Sequence, residues 1–98
     1  MKNIKFETLK ESVRGEKYYM LFKASNEIKE VYCIAVQDDD FYIQSVGSDL
    51  SQANEIYNLV VDSVVSAIHV NDVISDYQND LQNQIFAWNH LLLLLFMI

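Results

Sequence analysis

The sequence predicts an α+β domain: a four-stranded antiparallel meander followed by two helices, the second long and strongly apolar at its C-terminal end. Three observations predict it. Through about residue 46, apolar and aromatic residues recur at a period near two, as in half-buried strands. The breaks at 14–16, 25–27 and 38–40 are short and polar, which favours hairpins, because parallel neighbours need a long crossover. After Gly47-Ser48 the apolar spacing changes to three and four, the period of a helix. Strands first and helices last define the class. With 98 residues the chain, 1–98, is expected to be a single small domain, with strands within about 3–46 and helices over about 51–67 and 71–96.

Each element has its own signal. Ile4, Phe6 and Thr8 alternate with polar neighbours, and the alternation slips at Leu9. Arg14-Gly15-Glu16 reads as a turn, since Gly takes positive φ freely. Lys17–Ala24 is dense in aromatics, which favour a pleated surface. Ser25-Asn26-Glu27 is a second turn, and Ile28–Val36 is expected to be the third strand. Asp38-Asp39-Asp40 ends it, and Phe41–Val46 is the fourth. Ser51 is the expected N-cap of the first helix, whose stripe runs through Ala53, Ile56, Tyr57, Val60, Val61, Val64 and Ile68. Its several Val residues are poor helix formers, so packing on the sheet must hold it. Asn71, ahead of Asp72, Val73 and Ile74, is the expected cap of the second helix.

All seven basic residues (Lys2, Lys5, Lys10, Arg14, Lys17, Lys23 and Lys29) lie in the first 30 positions, and none follows. Residues 31–98 carry nine acidic side chains, and the whole chain has a net charge of −7. A nucleic-acid binder needs clustered Lys and Arg against phosphates, so that class is excluded. Cys33 is the only cysteine, which rules out an intrachain disulfide and fits a small cytoplasmic domain better than a secreted one. The charged N-terminus has no apolar signal-peptide core. Cys33 itself lies in an apolar run, the setting of a structural thiol.

No residue pattern marks a catalyst. His69 stands between Ile68 and Val70 at the corner between the helices, where an imidazole serves structure. His90 is 21 positions further on, with no second ligand at zinc spacing. Asp38-Asp39-Asp40 lacks the alternation and central Gly of a calcium loop and reads as a solvated hairpin tip. Asp72, Asp76 and Asp80 share one helix face and read as a water-facing stripe. The chain is therefore expected to be non-enzymatic, with no cofactor, no metal and no identifiable small-molecule ligand.

Ser66–Tyr77 resembles the closing motif of a family of small uncharacterised proteins (a domain of unknown function) from clostridia-like Firmicutes. In that motif a Pro, an apolar residue, often a His, and an Asp-Val-Ile turn of helix follow the first helix. Tyr32-Cys33-Ile34 and Ser48-Asp49 are similar to the end of its sheet and the start of its helix, so the likeness spans roughly residues 17–80. It implies a bacterial protein of the same fold and carries over no catalytic residue. This chain departs from the pattern at Ala67, where Pro is usual, and in Leu81–Ile98, which extends past the family's usual end.

That extension carries the functional expectation. Residues 85–98 are apolar at 12 of 14 positions. As a helix they span about 21 Å, short of the roughly 30 Å hydrocarbon core, and they lack basic flanks. Ile74, Leu81, Trp88 and Leu95 are spaced by seven, with Ile85 and Leu92 interleaved, a short heptad seam. The chain is therefore expected to be a cytoplasmic protein-interaction module, an acidic α+β homodimer or the binder of another protein. Its surface would be Ile74, Leu81, Ile85, Trp88, Leu92 and Leu95. Two alternatives stand beside it: membrane association through residues 85–98, and an acidic protein that occupies a basic nucleic-acid-binding surface through Asp72, Asp76 and Asp80.

Overall fold

Four strands, β1 (Lys5–Arg14), β2 (Lys17–Ser25), β3 (Glu30–Gln37) and β4 (Phe41–Ser45), form one antiparallel sheet in the order β1-β2-β3-β4. The computed structural model describes residues 3–79. Two helices follow the sheet: α1 (Leu50–Asp62) and α2, helical over 70–79. The α+β meander with two helices after it is therefore as the sequence predicts. The remainder of the expected second helix, with its apolar end, lies outside the described residues.

The turns follow their chemistry. Arg14 pairs with Lys17 across a two-residue hairpin whose first central residue, Gly15, has φ of 63°, the requirement of a type II′ turn. The irregularity foreshadowed at Leu9 is a β-bulge between Thr8 and Lys10, which bends and twists a long edge strand. Asn26 caps its own turn by accepting from the backbone N–H groups of Ile28 and Lys29, both at 2.8 Å. That turn absorbs Ile28, so the third strand starts at Glu30 rather than at Ile28, whose side chain is 76% exposed.

Both helices lie on one face of the sheet. The core joins Tyr19 and Leu21 of β2, Tyr32, Ile34 and Val36 of β3, and Val46 to Ala53, Ile56, Tyr57, Val60 and Val61 of α1. Val65, Ala67, Val70 and Ile74 close it. Asp49, not Ser51, is the N-cap of α1, and its carboxylate accepts from the N–H of Gln52. Either residue type serves as a cap, and the chain enters the helix two residues earlier than expected. Asn71 is likewise not a cap: the carbonyl of His69 already accepts from Val73 at 3.2 Å, so Asn71 lies within α2.

α1 ends at Asp62, about five residues before the expected stop, because Val64 turns left-handed (φ 52°). Val65 N–H bonds to Val60 C=O at 3.1 Å and Val64 N–H to Val61 C=O at 3.0 Å, the paired bonds of a Schellman motif. The position after the cap in this motif is usually Gly, and a β-branched residue there costs about 1–2 kcal/mol of backbone strain. Val64 and Ile68, assigned by spacing to the buried stripe, are exposed as a result. Val64→Gly is expected to stabilise the domain by about 1 kcal/mol, the relief of strain exceeding the added freedom of the unfolded chain. A thermal midpoint raised by about 4–8 °C is the readout.

Candidate interaction surface

The period of two in each strand sends alternate side chains to opposite faces, and the register identifies which residues share a face. One face carries the helices. On the other, four rows cross the sheet: Phe6–Ala24–Val31, Thr8–Phe22–Cys33–Ser45, Glu11–Met20–Ala35–Ile43 and Val13–Tyr18–Gln37–Phe41. No described residue forms a layer over it. Phe6 is 70% exposed, Val13 and Phe41 62% each, and Ile43 49%. The rings of Phe6 and Phe22 meet edge to face at 6.1 Å between centroids, which shields Phe22 to 8% exposure and leaves Phe6 as its cover.

Charge is distributed against the usual pattern. The register puts Lys5, Glu7, Lys10, Arg14, Lys17 and Lys23 on the helix side, where β1 forms a charged rim beside α1. Lys10 lies 6.0 Å from the Tyr57 ring centroid, and Ser12 shares a 2.7 Å hydrogen bond with the Tyr57 hydroxyl. Lys23 reaches Glu7 at 3.2 Å; that bond, followed by the charge of Glu30, raises the pKa of Lys23. The open face has one charged strand residue, Glu11, and its carboxylate already accepts the Tyr18 hydroxyl. That bond, more than burial, raises the Tyr18 pKa. An uncovered sheet face in a self-sufficient domain is ordinarily the polar one.

Ile4 and Phe6, which alternate with polar neighbours as in a half-buried strand, are both exposed. Their alternation is real, but the apolar side of β1 faces away from the helices. A sequence signal for the open face does exist. Tyr18, Tyr19, Met20, Leu21 and Phe22 are consecutive, and an unbroken apolar run marks a strand covered on both faces.

The residues singled out by sequence are scattered. Ile74 is fully buried in the domain's own core, so it cannot open an intermolecular seam; the inner stripe of a packed helix and the first position of a heptad have the same spacing. Leu81, Ile85, Trp88, Leu92 and Leu95 lie outside the described residues, as do Asp80 and His90. His69, Asp72 and Asp76 are exposed. Cys33 is half-buried on the open face, and burial raises its thiol pKa, so at neutral pH it is a poor nucleophile.

Asp38 is a structural anchor rather than a solvated tip. Its carboxylate accepts from Asp40 N–H at 2.9 Å and from Ala67 N–H at 3.1 Å, tying the β3–β4 turn to the loop between the helices. A proline at 67 has no N–H to give. These backbone bonds, that of Asp40 first, hold the Asp38 carboxyl below its usual pKa. A carboxyl with a lowered folded-state pKa stabilises the fold above the unfolded value, near 4, and loses that contribution as the pH falls through the folded one. Asp38→Asn keeps an acceptor oxygen but does not titrate there. Its stability is expected to fall less than that of the wild type on acidification below about pH 4, as measured by denaturation at stepped pH.

Among the described residues no group of three or more His, Cys, Asp or Glu side chains is placed to hold a metal ion. No helix among them is long and apolar enough to cross a membrane. No family model, curated protein or solved structure matches the chain, so the resemblance over residues 17–80 finds no support in those comparisons.

Proposed function

We propose that the protein is a non-enzymatic protein-interaction module that works through the open face of its sheet. The carrying observation is the inverted polarity of β1 and β2: their charges, Glu11 excepted, line the helix side, while Phe6, Val13, Met20 and Phe22 line the side that no described residue covers. Contiguous exposed apolar surface with charge displaced from its centre is the composition of an interface core. The reading keeps the cytoplasm as its compartment, in line with the lone thiol of Cys33.

A photo-crosslinking amino acid placed at Phe41 on the open face, and for comparison at Asp62 at the end of α1, tests it in the cells that make the protein. Crosslinking to protein from position 41 and not from 62 is expected. Equal yields, or none from either, would overturn the reading.

A further inference from the structure

We infer that residues 63–69 are a hinge, and that straightening it hands α2 to a second copy of this chain in exchange for that copy's own. What ends α1 is the starting point. The segment Ser63-Val64-Val65-Ser66-Ala67-Ile68-His69 contains no Gly and no Pro, the residues that ordinarily stop a helix. Val64 and Ile68 continue the apolar spacing of α1, so the local pattern favours carrying the helix through. The break is instead imposed from a distance. Tyr19 of β2 donates to Val65 C=O, the Asp38 carboxylate of the β3–β4 turn accepts from Ala67 N–H, and Val65 and Ala67 are buried.

The bent form has its own costs. Val64 sits at a left-handed φ of 52°, and both Val64 and Ile68 are exposed. A straight helix relieves that strain and re-partners the two clamped groups: Val65 C=O takes His69 N–H, and Ala67 N–H takes Ser63 C=O. A short, strained connection between two packed elements is the setting in which copies exchange an element.

Straightened, the helix runs from Leu50 through residue 79, about 45 Å at 1.5 Å per residue. One chain cannot then keep both halves on its own sheet. At about 100° per residue, Val70 and Ile74 point about a third of a turn away from Val60 and Val61. The core loses both side chains, and the same two residues of a second straightened copy complete it. No new complementarity is required, because the contact closed between copies is the one found within a single chain. The hydrogen bond from Tyr77 to Glu55 re-forms between chains in the same way. The exchange is mutual, so the pair closes about a two-fold axis and does not propagate. The open face of the sheet takes no part, and the binding role proposed above stands or falls separately.

The test is sedimentation equilibrium of the purified 98-residue chain, after incubation at about 1 mM a few degrees below its thermal midpoint. A dimer is expected whose helical circular dichroism per chain exceeds that of the monomer, because residues 63–69 have joined the helix. Val64→Gly is expected to raise its dissociation constant at least about tenfold, since Gly suits the bent form and weakens a helix, twice per dimer. Tyr19→Phe removes a bond present only in the bent form and is expected to lower that constant. Ile43→Lys, which charges an exposed position of the open face, is expected to leave it unchanged. Circular dichroism of each monomeric variant checks that it folds. Wild type and Tyr19→Phe that both stay monomeric would overturn the inference. So would a dimer that gains no helix, one indifferent to Val64→Gly, or one abolished by Ile43→Lys.

Discussion

Ile74→Ala is expected to lower the stability of the domain by about 3 kcal/mol, within the range of about 2–5 for truncating a fully buried aliphatic side chain. Ile74 is 0% exposed and is the last member of the buried core along the described chain, with Val73 and Tyr77 packed beside it. The Tyr77 hydroxyl also donates to Glu55, which bridges α2 to α1 and raises the Tyr77 pKa. Chemical denaturation measures the loss directly, as a lower midpoint at unchanged slope. A loss below about 1 kcal/mol would mean that α2 does not pack on the sheet as described, and the heptad role of Ile74 would return.

Tyr19→Phe is expected to cost about 1–3 kcal/mol although it removes a single oxygen atom. The Tyr19 hydroxyl is buried and donates to Val65 C=O at 2.8 Å. Val65 follows the left-handed Val64, and its N–H is held by Val60. The residue after the strained position is thus clamped on both sides, by α1 through its N–H and by the sheet through its C=O. Strain of this kind persists only where the surroundings over-determine it. Without the hydroxyl, a buried carbonyl is left without that partner, and the left-handed turn loses one of its restraints. Burial, followed by the charge of Asp38, raises the Tyr19 pKa, so the phenol is a donor at neutral pH. Tyr57→Phe is the comparison: its hydroxyl meets Ser12 at a half-buried site, and a loss of no more than about 1 kcal/mol is expected. Thermal unfolding of the two variants side by side should separate them by several degrees.

The two predictions show where sequence patterns were sufficient and where they were not. Period and turn chemistry are local, so the meander, the Gly15 hairpin and the slip at Leu9 were readable from neighbouring residues alone. The stripe from Ala53 to Val61 was readable for the same reason, since a helix buries one face whatever it packs against. A period of two shows that the faces of β1 differ but not which of them receives the helices. Phe6 lies on the face away from the helices. The end of α1 was hidden because Val is a residue that ordinarily avoids left-handed backbone. The long-range bond from Tyr19, 46 positions away, holds the residue that follows Val64. Ile74 was misassigned because a spacing of seven is common to a coiled-coil seam and to the buried side of a helix on a sheet.

The candidate surface was missed on similar grounds. Its residues come from all four strands, and only pairing across the sheet brings Phe6, Met20, Cys33 and Ile43 onto one plane. The apolar C-terminal stretch, a stronger signal in sequence, lies outside the described residues.

Cys33 gives the most direct test of the claim that this plane is covered when the protein is at work. Its thiol stands on β3, in one row with Phe22 and Ser45, and it is native, so no change to the surface is needed. The measurement is its alkylation rate in intact cells and in the purified protein at nanomolar dilution. Each rate is divided by that of a thiol placed at the exposed Ser63 (Ser63→Cys in a Cys33→Ser background). Burial within the monomer is the same in both settings and cancels. A covered face predicts that relative alkylation in cells falls at least about tenfold, the change expected when roughly nine-tenths of the copies are occupied. Equal relative rates in the two settings would contradict it.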